Sequence, residues 1–197
     1  MILIFFDIET TGLNPEYHKL IEIGCLKAEN GTVFETFSRI IDPKESLPEE
    51  IKRMTGISEE DILNYGVEED DAIKDFLNFI EDYPLVGHNI LNFDVPFIEA
   101  RGGFKFKNRF SDTLLISKFL APNLKSHSLR NALNQFGILS DEYHRAIDDA
   151  FLTIKLWEIL KERSKNIDKN FIKNYAEKMF KEDPKILDAF YVFIEDI

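Results

Sequence analysis

Asp7 and Glu9 are two positions apart, with Ile8 between them, and follow directly on the apolar run 1–6. Side chains two apart in a strand leave the same face. Both carboxylates therefore project together from the end of an apolar strand. Like charges held so close are costly unless a cation or solvent relieves them. Oxygen-only donors of this kind suit Mg²⁺ or Mn²⁺. On these two residues alone, a polar strand end facing water is an equally coherent account.

Three more stretches carry chemistry-bearing side chains. Residues 10–15, Thr-Thr-Gly-Leu-Asn-Pro, have the composition of a turn, and Gly12 would let the backbone approach a ligand closely. Residues 87–94 hold His88, Asn89, Asn92, Phe93 and Asp94 just before Val95-Pro96. Asp94 there is either a helix N-cap or a metal carboxylate, and His88 reads as a structural hydrogen-bonding residue. Residues 144–150, His-Arg-Ala-Ile-Asp-Asp-Ala, open a long helical pattern. His144 and Asp149 are five apart, which does not fit one face of a continuous helix. His144 is thus expected in the preceding loop, either as a general base beside a metal or as a plain surface histidine.

The elements that must position these groups follow from periodicity. Residues 1–8, 20–28 and 32–41 read as strands, with Asn30-Gly31 a two-residue hairpin signal. Short helices are expected over 47–54 and 58–63, broken at Gly56, and a longer one within 67–83. Residues 84–87 read as a buried strand. Further helices are expected over 95–100, 113–120, 129–136 and 146–160. The pattern then changes. Phe171, Tyr175 and Met179 form one stripe, and Leu187, Tyr191 and Ile194 form another after Pro184. This predicts a C-terminal helical hairpin, expected to pack on the chain's own core; a docking tail for a polymerase is the alternative. The fold class is α/β, a mixed sheet with flanking helices, with residues 1–163 as one domain and 164–197 as its extension.

Composition bounds the partners. The 197 residues are 44% hydrophobic and 30% charged, with 18 Phe, as in a globular chain with an aromatic-rich core. No apolar run is long enough to span a bilayer. The single cysteine, Cys25, sits in an apolar run and suits a reducing cytoplasm. A net charge of −12 argues against nucleic acid. Locally, however, Arg101, Lys105, Lys107, Arg109, Lys118, Lys125 and Arg130 fall within thirty residues whose one acid is Asp112. They make either a solvated basic face or a strand path. Phe104, Phe106 and Phe110 interleave with them, to stack on bases or to fill the core.

Taken together, the three motifs, Asp7-Ile8-Glu9-Thr10-Thr11-Gly12-Leu13, His88 to Asp94, and His144 to Ala150, resemble the DEDD superfamily of 3′→5′ exonucleases. The similarity is to the branch whose third motif carries a histidine, which includes the proofreading epsilon subunit of bacterial DNA polymerase III. It covers residues 1–160. The resemblance implies an RNase H-like sheet, with three antiparallel strands and then parallel ones. It implies that Asp7, Glu9, Asp94 and Asp149 hold two divalent cations, Mg²⁺ or Mn²⁺, with Asp148 a neighbour. It further implies that His144 takes the proton of the attacking water, and that Thr10, Gly12, Leu13, Asn89 and Phe93 line a pocket for the 3′-terminal nucleotide. The implied partners are a nucleic acid 3′ end, DNA ahead of RNA, and a DNA polymerase subunit, with no membrane. An exoribonuclease would use the same five residues. A non-catalytic binding module would lack a carboxylate or the histidine, and this chain has all of them.

Overall fold

The computed structural model describes residues 1–139 and 145–197. Among them, five strands form one mixed sheet: β1 (Ile2–Thr10), β2 (Leu20–Glu29), β3 (Thr32–Ile40), β4 (Leu85–Gly87) and β5 (Phe110–Asp112). The order is β3-β2-β1-β4-β5. β1 pairs antiparallel with β2 and β2 with β3; β4 runs parallel to β1, and β5 parallel to β4. Asn30 and Gly31 both take positive φ, 49° and 74°, which the tight β2–β3 hairpin requires. β5 has no counterpart in the sequence expectations, because three residues are too few to show an alternation.

The helices are α1 (Glu49–Thr55), α2 (Glu59–Tyr65), α3 (Glu69–Ile80), α4 (Asp94–Gly102), α5 (Thr113–Leu120), α6 (Leu129–Gln135), α7 (Ala146–Ser164), α8 (Lys169–Phe180) and α9 (Pro184–Asp196). They cover both faces of the sheet. Leu3 and Phe5 of β1 pack with Trp157 of α7, Leu133 of α6 and Phe193 of α9. Ile4, Phe6 and Ile8 pack on the other side with Phe76 of α3 and Ile98 of α4. With a period of two, Asp7 and Glu9 continue the Leu3–Phe5 face, the side on which α7 lies.

The α8–α9 hairpin joins the first of these cores. Tyr175, Leu187 and Ile194 of the expected stripes pack against it, whereas Phe171 and Met179 are exposed and Ile172, Ala176, Phe190 and Phe193 are buried. The packing face is wider than the stripes, because large apolar residues flank them on both helices. α9 lies along β5. There Ser111 Oγ donates to Ala189 O at 2.7 Å, and Arg109 pairs with Asp188 and Glu195 at 2.8 and 2.7 Å. The hairpin thus covers the sheet edge that β5 would otherwise leave open. No helix among the described residues is long and apolar enough to cross a membrane.

Candidate active site

Asp7, Glu9 and Asp149 each offer a carboxylate oxygen, and these three atoms lie within 4.8 Å of one another. β1 delivers the first two from its C-terminal end, and the first turns of α7 deliver the third. The approach of α7 depends on two residues of β2. Gly24 stands opposite Asp7 in the β1–β2 ladder. A Cβ at Gly24 would fall 2.3 Å from the Ile147 nitrogen, so only glycine lets the helix start rest on the strand. Glu22, two residues earlier on the same face, is fully buried. Its carboxylate accepts from Arg145 Nε and Nη2 at 3.0 and 2.7 Å and from Ala146 N at 3.0 Å. Seated this way, α7 buries Asp149 in the cluster and leaves Asp148 exposed. His144 lies outside the described residues.

Asp94 arrives by a different route. The β1–β4 ladder ends at Phe5 and Val86, so the Ile8 N–H lies beyond it. Asp94 Oδ1 accepts that N–H at 3.1 Å. The N-cap of α4 is Phe93, and Asp94 is the first helical residue. The cap reading of Asp94 is therefore corrected by one position: the carboxylate reaches across to β1, beside the cluster.

The loop that carries Asn89 to Asp94 is held by Asp112, the lone acid of the basic stretch. Buried at the start of α5, Asp112 accepts from Asn89 N at 2.9 Å, Leu114 N at 2.9 Å and Leu91 N at 3.3 Å. Asn89 has φ +68°, and its side-chain oxygen accepts from Asn92 Nδ2. Burial holds the His88 imidazole down at about 4, hence neutral. Its Nε2–H then donates to His127 O at 2.8 Å, and Nδ1 lies 2.9 Å from Thr113 Oγ1. His88 thus ties the end of β4 to the connection before α6.

Of the other expected pocket residues, Thr10 ends β1, where a register shift between Glu9 and Thr10 bends the strand end, and Gly12 and Leu13 follow on the loop after it. Thr10 Oγ1 donates to Gly12 O at 2.7 Å. The space a Cβ of Gly12 would fill is taken by the His18 ring, 2.5 Å away, so the close approach there is internal. Leu13 projects into solvent, 81% exposed, and Phe93 packs on Phe97. The cleft over the cluster, of about 300 Å³, is lined by Asp7, His88, Ser128, Leu129, Arg130, Asn131 and Asp149. Its described lining does not include Thr10, Gly12, Leu13, Asn89 or Phe93. The start of α6 takes part in their place, through Ser128 to Asn131.

Burial dominates the electrostatics, and repulsion among the carboxylates adds to it. Burial, then Asp94, Glu9 and Asp149, push the Asp7 carboxyl well above its usual value. Burial, then Asp149 and Glu22, push Glu9 up to about 9, with Arg130 opposing. Asp94 rises to about 7, mainly through burial. Clustered oxygen donors that otherwise retain protons fit hard divalent cations, which relieve the same repulsion.

Four members of the basic stretch are engaged in ion pairs. Arg101 pairs with Glu69 at 2.7 Å, Lys105 with Glu99 at 2.6 Å, Arg109 with α9, and Arg130 with Asp149 at 2.5 Å. Phe104, Phe106 and Phe110 stack edge-on among themselves, and Phe106 also packs on Phe76. They are core residues because the loop after α4 folds back under α3.

Comparison with known proteins agrees with this architecture. The RNase_T exonuclease family matches residues 4–157. A PolC-type DNA polymerase III of Halalkalibacterium halodurans is 38% identical over 81% of this chain and 11% of the polymerase. That of Clostridium perfringens is 33% identical over 97% of this chain and 13% of the polymerase. The chain thus spans little more than a tenth of these relatives. Among solved structures, a zinc-bound complex of E. coli ExoI with single-stranded DNA superposes with a TM-score of 0.74. It is 19% identical and covers 90% of this chain and 44% of that one. Exonuclease X, in complex with 5′ overhanging duplex DNA, superposes with a TM-score of 0.63 at 19% identity, over 82% of this chain and 92% of that one. These two show a shared fold, and the family match, covering most of the chain, shows more: this protein is a member of the RNase_T exonuclease family.

Proposed function

We propose that this chain is a 3′→5′ exonuclease that removes nucleoside 5′-monophosphates from single-stranded or frayed DNA, in proofreading or repair in the cytoplasm. The observation that carries this reading is the convergence of Asp7, Glu9 and Asp149 within 4.8 Å, with Asp94 alongside on β1. DNA is favoured over RNA because the relatives are DNA polymerases, and the same relatives suggest a polymerase as partner. Residues 1–163 form the exonuclease unit, and 164–197 serve as its helical extension.

Asp7, Glu9, Asp94 and Asp149 hold two divalent cations, Mg²⁺ or Mn²⁺. When bound, these supply activation of water and stabilisation of the departing 3′ oxygen. His144 accepts the proton as water adds to the terminal phosphorus. The P–O3′ bond breaks and the departing 3′ oxygen takes a proton from solvent water, leaving a nucleoside 5′-monophosphate and a strand with a new 3′ hydroxyl. Leu13, exposed beside the site, meets the terminal base, and Thr10, Gly12, Asn89 and Phe93 border it. Incubating 5′-labelled DNA and RNA oligomers with Mg²⁺, Mn²⁺ or EDTA tests the reading. A descending DNA ladder that EDTA abolishes is expected. Undiminished hydrolysis after chelation, early release of the 5′ label, or a preference for RNA would overturn it.

A further inference from the structure

The sheet separates the two ends of the basic stretch. β4 runs parallel to β1, and β5 to β4, so all three strands end on the side of the carboxylate cluster. Lys107 precedes β5 and lies at the opposite end, where its neighbour Asn108 donates through Nδ2 to Glu81 O and Tyr83 O at 3.0 and 2.8 Å. Lys118 and Lys125 come after β5. α5 starts where β5 ends, and Thr113, its first residue, lies against His88 of the cleft wall. One turn on, Ser117 Oγ donates to Leu114 O at 2.9 Å, so it accepts the Nδ1–H of His127 at 3.0 Å. His127 O in turn accepts from His88, and Ser128, the next residue, lines the cleft. Lys118 thus adjoins a side chain bonded to that wall. Burial, then the Lys118 charge, lower the His127 imidazole from its ordinary value. Lys125 stands two residues before His127, in a turn that Gln135 of α6 closes. Lys125 N donates to Gln135 Oε1 at 2.9 Å, and Gln135 Nε2 donates to Ser126 O at 3.2 Å.

Of the seven cations in the stretch, Arg101, Lys105, Arg109 and Arg130 are held by carboxylates. Lys118 and Lys125 are exposed and have no ion pair among the described residues. Lys107 shares both properties but stands at the wrong end of the sheet. A chain of net charge −12 repels a polyanion, and the cleft adds its own carboxylates. A strand whose 3′ end enters there needs local cations along its approach. We propose that Lys118 and Lys125 receive backbone phosphates upstream of the 3′ end, so that the strand leaves the cleft over α5 and the turn before α6. This rests on the reading of the site as an exonuclease centre, and it adds the direction in which the rest of the strand runs. Contacts to phosphate position the strand without reading its sequence, so all bases are served alike.

The test uses the full chain and a fluorescent single-stranded DNA oligomer, with Ca²⁺ in place of Mg²⁺ so that binding is read without turnover. Affinity is followed against salt for wild type, Lys118→Gln, Lys125→Gln, their double variant and Lys107→Gln. Loss of one phosphate contact lowers the steepness of log K against log salt by about 0.7 for a single strand. Lys118→Gln and Lys125→Gln should each show that decrease and bind DNA several-fold more weakly. The double variant should lose about 1.4. Lys118→Arg and Lys125→Arg should keep the wild-type slope. Lys107→Gln removes the same charge from the far end and should bind as wild type does. Equal decreases in all three single Gln variants would overturn the proposal, because net charge alone would then account for them. Wild-type slopes in Lys118→Gln and Lys125→Gln would overturn it as well. If these two lose slope as expected, yet wild type never shortens DNA in Mg²⁺, the exonuclease reading fails while the strand surface stands.

Discussion

Two groups of buried carboxylates differ in how their charge is met. In the seat of α7, Glu22 receives a two-point contact from Arg145 and a backbone N–H. Further along α7, Trp157 Nε1 and Lys161 donate to Asp196 of α9 at 2.8 and 3.0 Å. These acids are matched by cations and donors, and they fasten one element to another. In the cleft, Asp7, Glu9 and Asp94 face further carboxylates, and each is pushed towards its protonated form. The first arrangement favours the folded chain, and the second opposes it unless a cation binds. Buried acid is thus not one kind of feature: its neighbours decide whether it holds the fold or stores repulsion for a ligand.

Substitutions on the two sides should move activity and stability in opposite patterns. Glu9→Gln should lower turnover by roughly 10³-fold, the several kcal/mol expected when a metal ligand is lost. It should leave the metal-free fold no less stable. Steady-state hydrolysis of DNA in Mg²⁺ and denaturant melts in EDTA read both. Glu22→Ala should instead cost about 3 kcal/mol of stability, the penalty for breaking a buried pair. Its residual activity should follow the loss of folded protein. A Glu22→Ala variant with a wild-type denaturation midpoint would erase the distinction between the two sites.

A further effect should appear against pH. Glu9 titrates near 9 and Asp94 near 7 when folded, whereas free carboxyls lose their protons near 4. Between those limits the folded state binds more protons than the unfolded one, so stability falls as pH rises. The metal-free midpoint should decline from about pH 5 to pH 9, by about 2–4 °C per kcal/mol lost for a chain of this size. Saturating Mn²⁺ should flatten the decline. A metal-free midpoint that stays level or rises over that window would contradict the raised values.

The parts of this site that sequence alone made legible are those fixed by local spacing. Asp7 and Glu9 share a face because β1 has a period of two, and Asn30-Gly31 specifies its turn by backbone preference. The seats were not legible, because they depend on partners far along the chain. Glu22 meets Arg145 across 123 positions, and its one signal is an acid inside an apolar run. Asp112 gave a similar hint as the only acid in a basic stretch, though its partners are backbone groups of another loop. Arg130 looked like one member of a charged face until its pairing with Asp149 set it apart. The stripes of α8 and α9 placed Tyr175, Leu187 and Ile194 on the core correctly but misplaced Phe171 and Met179, because large apolar residues occur on both faces of α8.

Thermal melts of wild type and Asp7→Asn, each in EDTA and in Mn²⁺, test most directly whether the cluster stores repulsion that a cation relieves. Removing one charge while keeping the shape should raise the metal-free midpoint of Asp7→Asn above that of wild type. Mn²⁺ should raise the wild-type midpoint more than the variant's, because an ion that binds only the folded state stabilises it by mass action. An Asp7→Asn variant that melts at or below wild type in EDTA, with no shift of either protein in Mn²⁺, would contradict the account.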